Sequence, residues 1–185
     1  MGGVSAFRVL FVCIGNVCRS PFGERLLAHR LEGSGIEVAS AGIAAMVGED
    51  MSPEAAVLLR GYGGSADGFV ARQLNPSMLR EADLVLTATR ELRSRVLAEA
   101  PAALRRTFTV LEFAALLDHI EASPPDRLVV EAAAARSSLG PVELDIPDPY
   151  HRGDRAHARA ASLMAGAVER IAAALAGEPA EGRAG

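Results

Sequence analysis

The sequence contains no tryptophan and no lysine, and of its 185 residues only two are cysteine and only 4% aromatic. With so few rings the interior must be filled mainly by Ala, Leu and Val, which suits helices packed on buried strands better than a small aromatic-lined barrel. Two cysteines do not make the disulfide framework of a small secreted domain, so a reducing, cytoplasmic setting is expected. All 19 basic residues are arginine, and against 23 acidic residues they leave a net charge of −4, which argues against a nucleic-acid partner. No apolar run is long enough to span a bilayer, and the start MGGVSAFRVLFVC lacks a cleavage-type tail, so no membrane association is expected. His29, His119, His151 and His157 are scattered without ligand spacing, so no metal site is expected.

What is present is enough apolar material, 50% of the chain, for one substantial core. The sequence reads as a single domain over residues 1–176 with a flexible tail over 177–185. Phe7–Val12 is a near-continuous apolar run of the kind that forms a buried parallel strand, ending at Cys13. A helix then starts around Pro21, with Ser20 as its cap, and stops at Gly33-Ser-Gly35. Further strands are expected at Ile36–Ser40, Ala82–Thr87 and Arg106–Val110, alternating with helices from Ser52 toward Tyr62 and from Arg90 to Ala100, and with a helical turn at Asn75–Leu79. Residues 111–138 read as two helical stretches broken at Ser123–Asp126, residues 140–150 as a proline-rich ordered loop, and Ala156–Leu175 as a final helix. This alternation predicts an α/β fold: a four-stranded parallel sheet built from right-handed β-α-β units, with helices on both faces and function at the carboxyl ends of the strands.

Cys13 stands at such an end, at the start of the string Val12-Cys-Ile-Gly-Asn-Val-Cys-Arg-Ser-Pro21. A thiol works as a nucleophile only as thiolate, so its pKa must fall from about 8.5. Gly15 and Asn16 can curl the backbone so that the N–H groups of residues 14–18 (Ile14, Gly15, Asn16, Val17, Cys18) turn inward, and the following helix adds the positive end of its dipole. Such a nest stabilises a thiolate and binds a phosphate above it. Arg19, six residues after Cys13, can clamp two phosphoryl oxygens with its planar fork, and Ser20 can donate its hydroxyl to the sulfur. Sulfur attack on phosphorus is the chemistry these residues suit. Cys18 is too far from Cys13 for a Cys-x-x-Cys pair; it is either a buried bystander or a disulfide partner for an oxidised Cys13.

The whole string, between a buried strand and a helix, resembles the signature of the low-molecular-weight protein tyrosine phosphatases. The resemblance implies hydrolysis of phosphate monoesters through a phosphocysteine, with no cofactor and no metal, and it favours the partner role for Cys18. Family members carry their general acid in an Asp-Pro-Tyr motif, which Asp148-Pro-Tyr150 matches; Asp145 and Asp154 lack that context. By the same resemblance Tyr150 lines the pocket against the substrate ring, and Ser40 in Ser40-Ala-Gly42 holds Asn16 in its conformation. Three departures stand out: Phe69 replaces a frequent histidine that supports the asparagine, Met46 sits where an aromatic ring often grips the substrate, and His151 replaces a frequent second tyrosine. About 37 residues separate Val110 from Asp148, more than in compact members; the excess either shapes a partner-docking surface or extends the core, and the second is the preferred reading.

The implied substrate is a phosphotyrosine-containing protein or a small aryl phosphate, and the implied state a monomer or weak dimer. Phosphoarginine phosphatases of this family tend to have threonine where Val17 stands, and Val17 is flat and apolar enough to pack on a phenol ring. Arsenate reduction with an external thiol is the alternative chemistry. A phosphotyrosine-binding regulatory protein is the non-enzymatic one, and it would be expected to have lost Cys13, Arg19 or Asp148, all of which are present.

Overall fold

Four short strands with apolar side chains on both surfaces can be stable only if both surfaces are covered. In the computed structural model, which describes residues 6–177, they pair in parallel in the order β2-β1-β3-β4, with β1 at Arg8–Cys13, β2 at Glu37–Gly42, β3 at Leu84–Thr87 and β4 at Thr107–Thr109. The register runs Arg8 to Glu37 through Cys13 to Gly42 on one side of β1, and Val9 to Leu84 through Val12 to Thr87 on the other. Alternation along β1 sorts the core. Val9 and Phe11 face one side, together with α1 (Arg19–Arg30), α2 (Pro53–Gly61), α5 (Val110–Leu116), α6 (Pro125–Ala134) and α7 (Gly153–Leu175). Leu10 and Val12 face the other, against α3 (Pro76–Glu81) and α4 (Arg90–Glu99). The expected parallel sheet with helices on both faces is what forms.

Local chemistry explains the element boundaries. Ser52, Asn75 and Thr89 cap α2, α3 and α4 through their side-chain oxygens, and Pro53 and Pro76 occupy first helical positions where a missing N–H costs nothing. Three sequence-based boundaries need correction. β4 does not reach Val110, because Thr109 and Glu112 form a reciprocal capping box that opens α5 there. Ser20 is not the cap of α1, which begins at Arg19 after Cys18; the Ser20 hydroxyl is spent on the loop before it. The last helix starts three residues earlier than Ala156, at Gly153.

The segment 110–138 is part of the core: Phe113, Leu116, Leu128 and Ala132 are fully buried. Arg136, in the short 3₁₀ turn after α6, fastens this segment to the sheet. Its guanidinium lies 4.1 Å over the Phe108 ring, pairs with buried Glu112 at 3.2 Å and donates to the carbonyls of Leu104 and Thr107. Gly23 lets α1 lie close to β1 and α7, since a Cβ there would stand 2.7 Å from the Phe11 ring and 3.1 Å from the Met164 sulfur. The tail expected over 177–185 lies, apart from Gly177, outside the described residues.

Candidate active site

The order β2-β1-β3-β4 makes the carboxyl end of β1 the place where the chain reverses its direction of winding, and a cleft is expected there. The loop Cys13–Arg19 occupies it. The carbonyls of Cys13, Ile14, Gly15 and Val17 accept hydrogen bonds of 2.8 to 3.0 Å from the N–H groups of Ile43, Ala44, Met46 and Ser52. Within a trans peptide unit the C=O and the next N–H point in opposite directions. Carbonyls bound outward therefore turn the N–H groups of Ile14, Gly15, Asn16 and Cys18 toward the inside of the loop, and that of Asn16 reaches the Cys13 sulfur at 3.3 Å. Asn16 is buried and left-handed, at φ 56°, which asparagine tolerates better than most residues.

Asn16 is held by hydrogen bonds from every side. Its amide nitrogen donates to Ser20 Oγ and Ser40 Oγ, each at 2.8 Å, and its Oδ1 accepts from the Arg72 backbone N–H at 2.9 Å. Because Ser20 accepts from Asn16, its own proton is available to the Cys13 sulfur 2.9 Å away. Ser40 in turn donates to the carboxylate of Glu24, and Arg72 Nε donates to the Ser40 carbonyl at 2.7 Å. Burial pushes the Glu24 carboxyl above its ordinary value, against the hydrogen bond from Ser40 and the charges of Arg72 and Arg25. Glu24 and Arg72 were not anticipated from sequence. Phe69 is a buried core residue with Arg25 5.6 Å over its ring, while Ser20, Ser40 and Arg72 support the asparagine.

Arg19 is 4% exposed and crosses beneath the cleft. Its Nη1 donates to the Ile146 carbonyl at 2.9 Å, its Nη2 pairs with Asp148 at 3.0 Å, and its Nε has no partner among the described residues. The loop carrying Asp148 is fastened at three points: Ile146 N–H to the Ala88 carbonyl at 2.8 Å, the Ile146 carbonyl to Arg19, and Asp145 to Arg90. Partial burial alone would raise the Asp145 carboxyl, but the hydrogen bonds and charge of Arg90 outweigh it and hold Asp145 below the usual carboxylate value. Asp145 is thus an anchor, while Asp148, with its side chain 35% exposed, faces the cleft.

The cleft is lined by Cys13, Ile14, Gly15, Val17, Arg19 and Asp148, with Met46 and Tyr150 at its mouth. Asn16, Ser20 and Ser40 stand behind the loop rather than in the cleft. Cys18 is buried and reduced, donates to Ser52 Oγ at 3.3 Å, and burial pushes its thiol up to about 11. The rings of Tyr150 and His151 lie tilted against each other with centroids 3.9 Å apart, so the residue in place of a second tyrosine packs on the first. Among the described residues no three His, Cys, Asp or Glu side chains gather as metal ligands do.

A family-wide sequence profile for low molecular weight phosphotyrosine protein phosphatase matches residues 8–129. The chain is 42% identical over 93 residues to the low molecular weight protein-tyrosine-phosphatase Etp of Escherichia coli, an alignment covering 50% of this chain and 62% of that protein. It spans less than two thirds of that relative's length. Among solved structures it is similar to the tyrosine phosphatase AmsI of Erwinia amylovora, with TM-score 0.69 and 28% identity over 92% of this chain and 93% of that one. It is equally similar to the YwlE arginine phosphatase of Geobacillus stearothermophilus, with TM-score 0.70 and 26% identity over 90% of each chain. With the nest and the buried arginine inside a profile that covers all four strands, the chain belongs to the low molecular weight phosphotyrosine protein phosphatase family.

Proposed function

We propose that this protein hydrolyses phosphotyrosine monoesters through a phosphocysteine, with residues 1–176 as the phosphatase unit. The observation that carries the proposal is the arrangement of Cys13, Arg19 and Asp148 around one cleft, with Arg19 Nε buried and unpaired. A buried donor without a partner costs about 1–3 kcal/mol, and a phosphoryl oxygen supplies what it lacks. Asp148's side of the Arg19–Asp148 pair is 35% exposed, so a dianion taking the arginine fork can displace that carboxylate toward solvent.

In the first step Cys13 sulfur attacks phosphorus, the bond to the phenolic oxygen breaks, and Asp148 gives that oxygen a proton. In the second, Asp148 takes a proton from water as the water oxygen bonds to phosphorus, the S–P bond breaks, and phosphate leaves with the thiolate restored. The inward N–H groups and Arg19 hold the charge on the equatorial oxygens in both steps. Cys18 is proposed as the disulfide partner of an oxidised Cys13. We place the protein in the cytoplasm, as a monomer or weak dimer acting on phosphotyrosine-containing proteins or small aryl phosphates.

The similarity to an arginine phosphatase favours a second reading, phosphoarginine hydrolysis. Against it stand the apolar walls Val17, Met46 and Tyr150, which suit a phenol ring better than a guanidinium. Turnover of an aryl phosphate should be abolished in Cys13→Ser and lowered about 10²- to 10⁴-fold in Asp148→Ala, most for poor leaving groups. Retained turnover in Cys13→Ser overturns the mechanism. Parallel assays of phosphotyrosine, phosphoarginine and arsenate with a thiol donor decide the substrate, and binding of phosphotyrosine without any turnover identifies a regulatory protein.

A further inference from the structure

A second groove opens beside the catalytic cleft and shares its walls, Val17, Met46 and Tyr150. Its far side is formed by the turn after β2 and the start of α2, and it carries three exposed carboxylates, Glu49, Asp50 and Glu54. No ion pair among the described residues engages any of the three, so their charge is not offset by a neighbouring arginine. His157 of α7 lines the same groove; it is 5% exposed and makes no side-chain hydrogen bond among the described residues. A buried imidazole facing an open groove with no protein partner is a polar group left for something that enters.

We infer that this groove binds the polypeptide next to the phosphotyrosine, and that it selects substrates carrying arginine or lysine within a few residues of the phosphorylated side chain. The inference rests on the phosphotyrosine reading above and narrows it to a substrate class. Continuity with the cleft fixes what can lie there: a peptide whose phosphotyrosine is seated against Cys13 must pass Met46 and Tyr150, and the groove is the path they border. Charge fixes the preference, since three unpaired carboxylates favour cationic side chains and repel acidic ones. His157 supplies a hydrogen-bonding group for the main chain of the same segment.

The test is the ratio of kcat/KM for two phosphotyrosyl peptides that differ only in having arginine or glutamate at the flanking positions. Wild type should favour the basic peptide about tenfold at low ionic strength, and the ratio should shrink as salt is raised. Neutralising the groove with Glu49→Gln, Asp50→Asn and Glu54→Gln together should bring the ratio close to one, and reversing it with lysine at the three positions should invert the preference, which a purely structural role would not do. A wild-type ratio of one, or one that survives neutralisation, overturns the inference. The same peptides titrated into Cys13→Ser give the ratio as binding constants. If wild type turns over neither peptide, the phosphatase reading fails, while the binding ratio still decides the groove.

Discussion

At the scale of single residues, Cys13, the proposed nucleophile, is reached by a chain of hydrogen bonds that starts eleven positions downstream of it. Glu24 accepts from Ser40, Ser40 accepts from Asn16, Asn16 donates to Ser20, and Ser20 lies against the Cys13 sulfur. An acceptor at position 24 therefore fixes the direction of every bond in the chain. Glu24→Ala should lower kcat on an aryl phosphate and slow alkylation of Cys13, whereas Glu24→Gln, which keeps an acceptor, should retain most of both. The raised Glu24 carboxyl has a consequence for stability. Its folded pKa lies above the unfolded one, so the native state holds the proton more tightly, and this contribution is present at low pH and lost as pH rises through the folded value. Thermal unfolding should accordingly show wild type gaining on Glu24→Gln as pH falls from neutrality toward the acid range. Cys18 behaves oppositely to a reactive thiol: with its pKa pushed up to about 11 it stays protonated, and an alkylating reagent at pH 7 to 9 should label Cys13 and spare Cys18, as read by peptide mass mapping.

At the scale of elements, the site is a junction between strand ends and helix starts, and close approach is what makes it rigid. Gly42, at the end of β2, backs directly onto the nest: a Cβ there would press on the Ile14 carbonyl and stand 3.0 Å from Asn16 N. Gly42→Ala should therefore cost activity by displacing the loop, seen as a fall in kcat larger than any change in KM. The extra length between β4 and the acid loop is secured by Arg136 on Glu112 and Phe108. Removing one member of a largely buried pair leaves the other uncompensated, so Arg136→Ala should destabilise the fold by about 2–4 kcal/mol in urea unfolding. The expected strands and helices were legible because hydrophobic periodicity is local, and the caps at Ser52, Asn75 and Thr89 sit where side-chain chemistry marks them. The end of β4 was misread because Thr109, a good strand residue, is also a good cap, and Glu112 decides between the two.

At the scale of the whole molecule, the resting protein keeps an arginine fork buried and partly unpaired beneath a cleft that faces solvent. Ligand binding and folding stability are then coupled. Inorganic phosphate at a hundredfold excess over its Kd should stabilise the native state by about 2.7 kcal/mol in denaturant titrations, and Arg19→Ala should abolish the gain. The same cleft joins an acidic groove, so a chain of net charge −4 concentrates part of its negative potential where the proposed phosphotyrosyl substrate would approach.

The amino-acid sequence by itself determined the parallel α/β sheet, the place of Cys13 at a strand end, and the candidate nest, arginine and acid, because each is written in contiguous residues whose local conformation follows from their own side chains. Only the tertiary structure decided what surrounds them. Arg19 meets Ile146 across 127 positions, Asn16 meets Arg72 across 56, and Asp145 turned out to anchor on Arg90 rather than compete for the acid's role. Such contacts carry no periodic signal. They arise because packing the helices onto the sheet brings remote segments to one strand end, where buried polar groups must find partners or leave a site open for a ligand.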